Sequence, residues 1–181
     1  MSNHTSTNWI GINYAPTLQP TMKQYYQEFL IRDWQESDRS LAAEVIRQVL
    51  VQYGLPWEPQ EADWDVIEVE TAYLAKGGEF WVVEAEGEIV GTAAYYPVKR
   101  DRQGVEIRKM YLLPQVRKRG LGKYLLQQLE KAIALKGFTT VYIETASVLK
   151  EAVILYEKNH YQPMTDVNTA RCDRAYYKKL D

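Results

Sequence analysis

Cysteine and histidine are nearly absent from this 181-residue chain, which has one cysteine, Cys172, and two histidines, His4 and His160. A lone cysteine allows neither a disulfide within the chain nor a thiolate cluster around a metal. The two histidines lie far apart in sequence without an acidic motif around either, so a histidine-based catalytic triad is not expected. We therefore predict no metal site, and the low cysteine content indicates a cytoplasmic protein.

Long apolar runs and an excess of one charge are also missing. No stretch reaches the roughly 20 apolar residues of a membrane span, and the first residues lack the pattern of a signal peptide. The net charge is −2, from 22 Lys and Arg against 24 Asp and Glu, which leaves no broad basic surface for a nucleic-acid backbone. The sequence thus predicts neither a membrane partner nor a nucleic-acid partner.

The length suits a single domain with a full core. Residues 1–25 are rich in Ser, Thr, Asn, Gln and Pro, so we interpret them as an N-terminal extension and residues 26–181 as one domain. A first strand is predicted over 28–32. Apolar points in the extension and in the last strands are compatible with a homodimer.

Two helices are predicted in the first half of the domain. Ser37 or Asp38 is placed to cap the first helix. Its apolar face would comprise Leu41, Val45, Val49 and Tyr53. The second helix would begin near Asp63, and the residues on its apolar side would be Trp64, Ile67, Thr71 and Leu74.

The second half of the domain alternates strands and helices. Residues 80–85 and 88–96 form a predicted hairpin, and 105–113 a third antiparallel strand. A helix ending at Gly137 and a strand over 139–145 follow, which implies a right-handed parallel crossover. A helix over 148–158 and strands over 161–165 and 171–178 close the chain. We predict a mixed α/β fold: a twisted, mostly antiparallel sheet with a central parallel, splayed strand pair, flanked by helices.

A glycine turn, Arg117 to Gly122, lies between the third strand and the long helix. Gly120 and Gly122 allow backbone conformations that a Cβ forbids, and they allow close approach to a ligand. The first amides of the following helix point at the same place with a positive dipole. The cations of Arg117, Lys118 and Arg119 add to the attraction. The turn therefore predicts a cradle for a phosphate group.

Two motifs in sequence order support a more specific interpretation. The turn reads Arg-x-x-Gly-x-Gly and follows an acidic residue, Glu106, an apolar trio over 110–112, and Pro114. A later helix reads Ala-x-x-Leu-Tyr-Glu-Lys over 152–158. Together with the order of elements from Phe29 onward, these motifs resemble the GNAT superfamily of N-acetyltransferases. Two positions depart from the pattern of that family: Leu149 replaces an asparagine, and His160 replaces a glycine.

The resemblance implies binding of acetyl-CoA, with its pyrophosphate on the glycine turn and its pantetheine arm along the apolar trio. The residues assigned to this co-substrate are Met110, Tyr111, Leu112, Arg117, Lys118, Arg119, Gly120, Leu121, Gly122, Lys123 and Thr145. The implied activity is acetyl transfer to a primary amine, and we expect a small-molecule acceptor. A protein or peptide acceptor, and a non-catalytic acetyl-CoA-binding module, are the alternatives.

Three residues are assigned to the chemistry. Glu106, which projects from the strand beside the splay, is the candidate general base, acting directly or through water. Tyr156 lies where the family has a proton donor for the sulfur of coenzyme A, and a phenol is protonated at neutral pH. The backbone N–H of Tyr111 or of Leu112 is expected to hold the carbonyl oxygen.

Cues about the acceptor point in two directions. Arg171 and Arg174 could bind a carboxylate, whereas acidic residues of the second helix, Asp65 among them, could attract a cationic amine. An amino acid or another zwitterion would satisfy both cues. Cys172, predicted in the last strand, is interpreted as a small buried hydrophobe rather than a nucleophile.

Overall fold

The computed structural model of the protein describes residues 22–180. These residues form an eight-stranded sheet flanked by helices, and the predicted fold class is confirmed. The strands are β1 Lys23–Tyr26, β2 Phe29–Asp33, β3 Glu79–Ala85, β4 Glu88–Pro97, β5 Gly104–Leu112, β6 Thr140–Thr145, β7 Gln162–Met164 and β8 Arg174–Lys179. The helices are α1 Arg39–Gln52, α2 Trp64–Ile67, α3 Val69–Ala72, α4 Leu121–Leu135 and α5 Lys150–Lys158.

The sheet has the strand order β1-β2-β3-β4-β5-β6-β8-β7. Neighbouring strands are antiparallel except β5 and β6, which are parallel and joined through α4. Their pairing runs from Gly104 opposite Thr140 to Ile107 opposite Ile143. Beyond this point β5 continues to Leu112 without pairing to β6. The two strands therefore diverge and leave an opening at their carboxyl ends.

A β-bulge in β5 accompanies this divergence. The register between β4 and β5 shifts between Thr92 and Ala94, and Lys109 has a φ of 51°. The hydroxyl of Thr92 donates to the carbonyl of Lys109 at 2.6 Å, which fixes the irregular backbone. Because a bulge bends its strand and increases the local twist, it directs the end of β5 away from β6.

The core lies between the sheet and its helices. Helix α1 packs on β4 and β5 and buries Ala42, Val45, Ile46, Val49 and Leu50. The face predicted for this helix is right at Val45 and Val49 and wrong at Leu41, which is 57% exposed. Helix α4 packs on the same two strands and buries the residues of its predicted apolar stripe, Leu121, Leu125, Leu126, Leu129 and Ile133.

The predicted second helix is two short helices, α2 and α3, and its predicted orientation is wrong. Trp64 and Leu74, expected inside, are 40% and 43% exposed. Asp65, expected on the surface, is 4% exposed. Its carboxylate accepts a hydrogen bond from the buried hydroxyl of Tyr73 at 2.6 Å, and Lys109 lies 3.1 Å away. The positive charge of Lys109 and the hydroxyl of Tyr73 compensate the carboxylate of Asp65, so Asp65 is buried although the apolar pattern of the sequence placed it on the surface.

The ends of the domain also differ from the prediction. Residues 23–26 form the edge strand β1, paired with β2, so the boundary predicted after residue 25 falls inside the sheet. Residues 1–21 of the predicted extension lie outside the described residues. Strand β8 begins at Arg174, and Arg171 and Cys172, predicted within that strand, lie in the loop before it.

Between residues 22 and 180, no helix combines the length and the apolar character needed to cross a bilayer. Nor does this part of the chain bring three or more His, Cys, Asp or Glu side chains together in a metal-binding group.

Candidate active site

A cavity of about 380 Å³ opens where β5 and β6 diverge. The residues predicted for the site that line it are Glu106, Met110, Tyr111, Leu112, Arg117, Lys118, Gly120, Gly122, Lys123, Thr145 and Tyr156. Arg119 and Leu121 do not line it. The side chain of Leu121 is part of the core, at 1% exposed.

The glycine turn forms one end of this cavity. Lys118 and Gly120 have φ angles of 61° and 80°, so the backbone is left-handed twice before α4 begins at Leu121. The amide of Tyr124 donates to the carbonyl of Gly120 at 3.0 Å. The three preceding amides of α4 have no acceptor within the helix, which makes this terminus a site for an anion.

Arg117 anchors the turn to the rest of the domain. Its guanidinium donates to the carbonyl of Leu112 at 2.8 Å, to the hydroxyl of Tyr53 at 3.1 Å and to the side-chain oxygen of Gln52 at 2.9 Å. These contacts connect the turn to the end of β5 and to the end of α1. The guanidinium thus positions the loop, and its contact with a phosphate remains a prediction.

The hairpin of β1 and β2 packs against the other side of the turn. Arg119 forms an ion pair with Glu28 and covers the ring of Phe29, so its side chain points away from the cavity. The hydroxyl of Tyr26 donates to the carbonyl of Arg119 at 3.2 Å, and the ring of Tyr26 stacks on Tyr124 with centroids 4.4 Å apart. Strand β1, which the sequence did not reveal, therefore supports the turn from outside.

Glu106 lies at the point where β5 and β6 separate and is 9% exposed. Burial, opposed by the positive charge of Arg108, raises the pKa of its carboxyl above the ordinary value. Tyr96 donates to this carboxylate at 3.4 Å, and Nε of Arg108 is 3.7 Å from it. A carboxylate with a raised pKa, facing a cavity, has the properties of a general base.

Tyr156 projects from α5 into the same cavity and is 5% exposed. Its ring lies against Tyr161 and Tyr176, with centroids 5.8 and 6.1 Å away. Among residues 22–180 its hydroxyl has no hydrogen-bond partner. Burial raises the pKa of this phenol, so it keeps its proton at neutral pH and remains available as a donor.

The backbone at the end of β5 distinguishes the two candidate amides. The carbonyl of Leu112 accepts from Arg117, whereas the amide of Leu113 donates to the carbonyl of Val90 in β4. Because backbone groups alternate in direction along a strand, the amide of Leu112 faces the opening and that of Tyr111 faces β4. The geometry favours Leu112 over Tyr111 as the donor to a carbonyl oxygen.

A buried charge cluster beside the site was not predicted. Asp63 is fully buried and accepts hydrogen bonds from Nζ of Lys109 at 2.6 Å and from both terminal nitrogens of Arg171 at 2.5 and 2.7 Å. These three residues lie far apart in the sequence, so no local pattern could reveal the cluster. It fastens the segment before α2 and the loop before β8 to the bulge of β5.

Replacing Asp63 by asparagine is expected to lower the free energy of unfolding by about 3–5 kcal/mol, because Arg171 would lose its buried counter-charge and Lys109 would keep only Asp65. Burial alone would raise the pKa of Asp63, but hydrogen bonds from Arg171 and the charge of Lys109 outweigh it and lower the pKa to about 2. Since the unfolded value is about 4, this contribution is complete above pH 4 and is lost as the pH falls through 2.

Urea unfolding of the unaltered protein and of the Asp63→Asn variant, at neutral and at acidic pH, measures the effect. The matched control is Glu44→Gln, which removes a carboxylate from an exposed pair with Arg47 and should leave the midpoint nearly unchanged. Equal stability of Asp63→Asn and the unaltered protein at pH 7 would show that the cluster does not hold the fold.

Cys172 lies in the loop before β8 and lines the cavity. Burial raises the pKa of its thiol to about 11, so little of it is thiolate at neutral pH. A protonated thiol is a weak nucleophile, which favours the interpretation as a packing residue.

Most of the described chain is similar to known proteins. Residues 22–161 match the model of the acetyltransferase (GNAT) family. The uncharacterized N-acetyltransferase YjgM of Escherichia coli K12 is 41% identical over 124 residues, which are 66% of this chain and 74% of that protein. The rat N-acetyltransferase 8F1 is 29% identical over 109 residues, and the chain spans about half the length of that relative.

Two solved structures have the same fold. A GNAT acetyltransferase from Staphylococcus aureus Mu50 superposes with a TM-score of 0.78 at 20% identity, over 84% of this chain and 99% of that one. An acetyltransferase from Salmonella typhimurium, solved with its cofactor acetyl-CoA, gives 0.66 at 19% identity, over 85% and 95%.

Proposed function

The chain belongs to the GNAT family of acetyltransferases, and from that premise we propose that it transfers an acetyl group from acetyl-CoA to a primary amine of a small molecule. One observation carries the proposal. The same cavity contains a helix terminus suited to phosphates, a buried carboxylate, Glu106, and a protonated phenol, Tyr156. These are the groups that direct acetyl transfer to an amine requires.

The residues that line the cavity suit the chemistry of acetyl-CoA. At one end, the free amides of α4 and the cations of Lys118 and Lys123 suit a pyrophosphate. Side chains from β5 and from the start and middle of α5 give the cavity an apolar part of its wall: Met110, Leu112, Leu149 and Leu155. Leu149 stands where the family pattern has an asparagine, so that wall is apolar in this protein. When bound, acetyl-CoA supplies an acetyl carbon activated as a thioester.

The residues of the chain then have separate tasks. Glu106 takes a proton from the amine, directly or through a water, and so produces the nucleophilic form. The amide of Leu112 donates to the carbonyl oxygen at the open side of β5. Tyr156 gives its proton to the departing sulfur. The hydroxyl of Tyr156 is free to do so because no carboxylate or carbonyl of the described chain binds it.

The general test is a screen for coenzyme A release with amino acids, polyamines, aminoglycosides and peptides as acceptors. We expect saturable release of coenzyme A with a small amine and no release without an acceptor. Release with peptides alone would favour a protein acceptor. Tight binding of acetyl-CoA without turnover on any amine would indicate a non-catalytic binding module.

Glu106→Gln is expected to lower kcat/KM about 100-fold or more, because general base catalysis contributes roughly 10²–10⁴-fold. The rate of the unaltered enzyme should rise with pH as Glu106 loses its proton, at a pKa above the ordinary value of 4.5. In the variant this rise should disappear, which leaves only the rise due to the acceptor amine. A pH–rate profile of the variant that keeps the acidic limb would remove Glu106 as the base.

A further inference from the structure

The acceptor end of the cavity has three cations besides those of the glycine turn: Arg108, Lys109 and Arg171. Two of them are already bound to carboxylates. Arg171 holds both oxygens of Asp63, and Lys109 contacts Asp63 at 2.6 Å and Asp65 at 3.1 Å. The guanidinium of Arg171, which the sequence suggested as a carboxylate ligand, therefore already binds a carboxylate of the protein itself in a bidentate contact.

Arg108 differs from these two cations in its contacts. Its Nε lies 3.8 Å from Asp65 and 3.7 Å from Glu106, beyond hydrogen-bond distance. Its one hydrogen bond in the described part of the chain is a long one, 3.4 Å to the hydroxyl of Tyr96. A guanidinium has five N–H donors, and the side chain of Arg108 is only 23% exposed. Among the described residues most of its donors thus have no protein acceptor, and Arg108 lines the cavity.

We propose that Arg108 binds a carboxylate of the acceptor, and that the acceptor is an α-amino acid or a molecule that contains a free α-amino-carboxylate group. The spacing supports the α position. Because Nε of Arg108 is 3.7 Å from the carboxylate of Glu106, a carboxylate bound to the guanidinium and an amine bound to Glu106 would lie close together, as they do when a single carbon joins them. If a long chain separated the two groups of the acceptor, its carboxylate would lie too far from Arg108 when its amine is at Glu106. This inference rests on the proposed function.

The charges of the cluster support the same class of acceptor. Asp63, Asp65 and Glu106 carry three negative charges beside the three positive charges of Arg108, Lys109 and Arg171, and Glu144 also lines the cavity. A zwitterionic amino acid adds no net charge to these groups, whereas a simple ammonium or a simple carboxylate would add one.

The test compares each amino acid of a panel with its methyl ester and with the amine that lacks the carboxylate. Coenzyme A release gives kcat and KM for each. We expect the free acid to be preferred by about 10- to 100-fold in kcat/KM, mainly through KM, as for a charge-assisted bidentate contact. Arg108→Gln should reduce this preference to near one, and Arg108→Lys should retain part of it.

Arg174→Gln is the matched control, because Arg174 is exposed on β8 and outside the cavity; its preference should equal that of the unaltered enzyme. The affinity for acetyl-CoA, measured by calorimetry, should be the same in all variants and confirms that they fold. If the unaltered enzyme accepts esters or decarboxylated amines as well as free acids, the inference is wrong while the proposed function stands. If no amine in any form is acetylated, the proposed function itself fails.

Discussion

Gly120→Glu is expected to abolish measurable binding of acetyl-CoA, with an affinity at least about 100-fold weaker. Gly120 has a φ of 80°, which a residue with a Cβ adopts at a cost of roughly 1–2 kcal/mol. A Cβ there would also collide with the hydroxyl of Tyr26. The new carboxylate would lie at the helix terminus where the phosphates are expected, so charge repulsion adds to the altered backbone.

Gly137→Glu is the control for this variant. Gly137 follows the other end of α4, has a φ of 86°, and a Cβ there would meet nothing within 4 Å. The substitution Gly137→Glu imposes the same backbone strain at the opposite end of the same helix, and its new carboxylate lies far from the glycine turn. Calorimetry should find normal affinity for Gly137→Glu and no binding for Gly120→Glu, while circular dichroism finds both folded. Unchanged affinity of Gly120→Glu would refute the assignment of the turn as the pyrophosphate site.

Tyr156→Phe is expected to lower kcat by about 100-fold or more while the affinity for acetyl-CoA changes less than about threefold. The hydroxyl has no other partner among residues 22–180, so its removal leaves no buried group unsatisfied and the ring packing with Tyr161 and Tyr176 is kept. A loss confined to kcat is the signature of an interaction made in the transition state.

Tyr161→Phe is the matched control for the loss of a buried phenol. Tyr161 packs on Tyr156, but its hydroxyl donates to Glu130 at 2.9 Å and it does not line the cavity. We expect a loss of about 1 kcal/mol of stability and near-normal turnover. If Tyr156→Phe also turns over normally, the leaving sulfur takes its proton from solvent.

The sequence was sufficient to predict those elements whose structure depends on residues close to one another in the chain. The turn at Gly120, the stripe of α4 and the alternation of β3 to β6 each depend on neighbours within a few residues, and these elements were predicted within one or two residues. The resemblance added the roles of Glu106 and Tyr156, which stay predictions, and both residues line the cavity. Both lie on regular elements, so their place in the motif determines their place in the fold.

Tertiary contacts determined what the sequence could not reveal. The burial of Asp65 depends on Lys109 and Tyr73, and the occupation of Arg171 depends on Asp63, more than 100 residues away in the chain. The same pairing leaves Arg108 as the cation beside Glu106 that does not bind a carboxylate within hydrogen-bond distance among the described residues. Strand β1 is polar and short, and it is recognisable only through its pairing with β2 and its contact with Arg119.

The most direct test of the account is a transfer experiment with acetyl-CoA that carries an isotopic label in its acetyl group, with mass spectrometry of the acceptor. We expect one labelled acetyl group, in amide linkage on the amine nitrogen, for each coenzyme A released, and about 100-fold slower formation of this product in Tyr156→Phe and Glu106→Gln. Release of coenzyme A with the label recovered as free acetate, or no release with any amine, would contradict it.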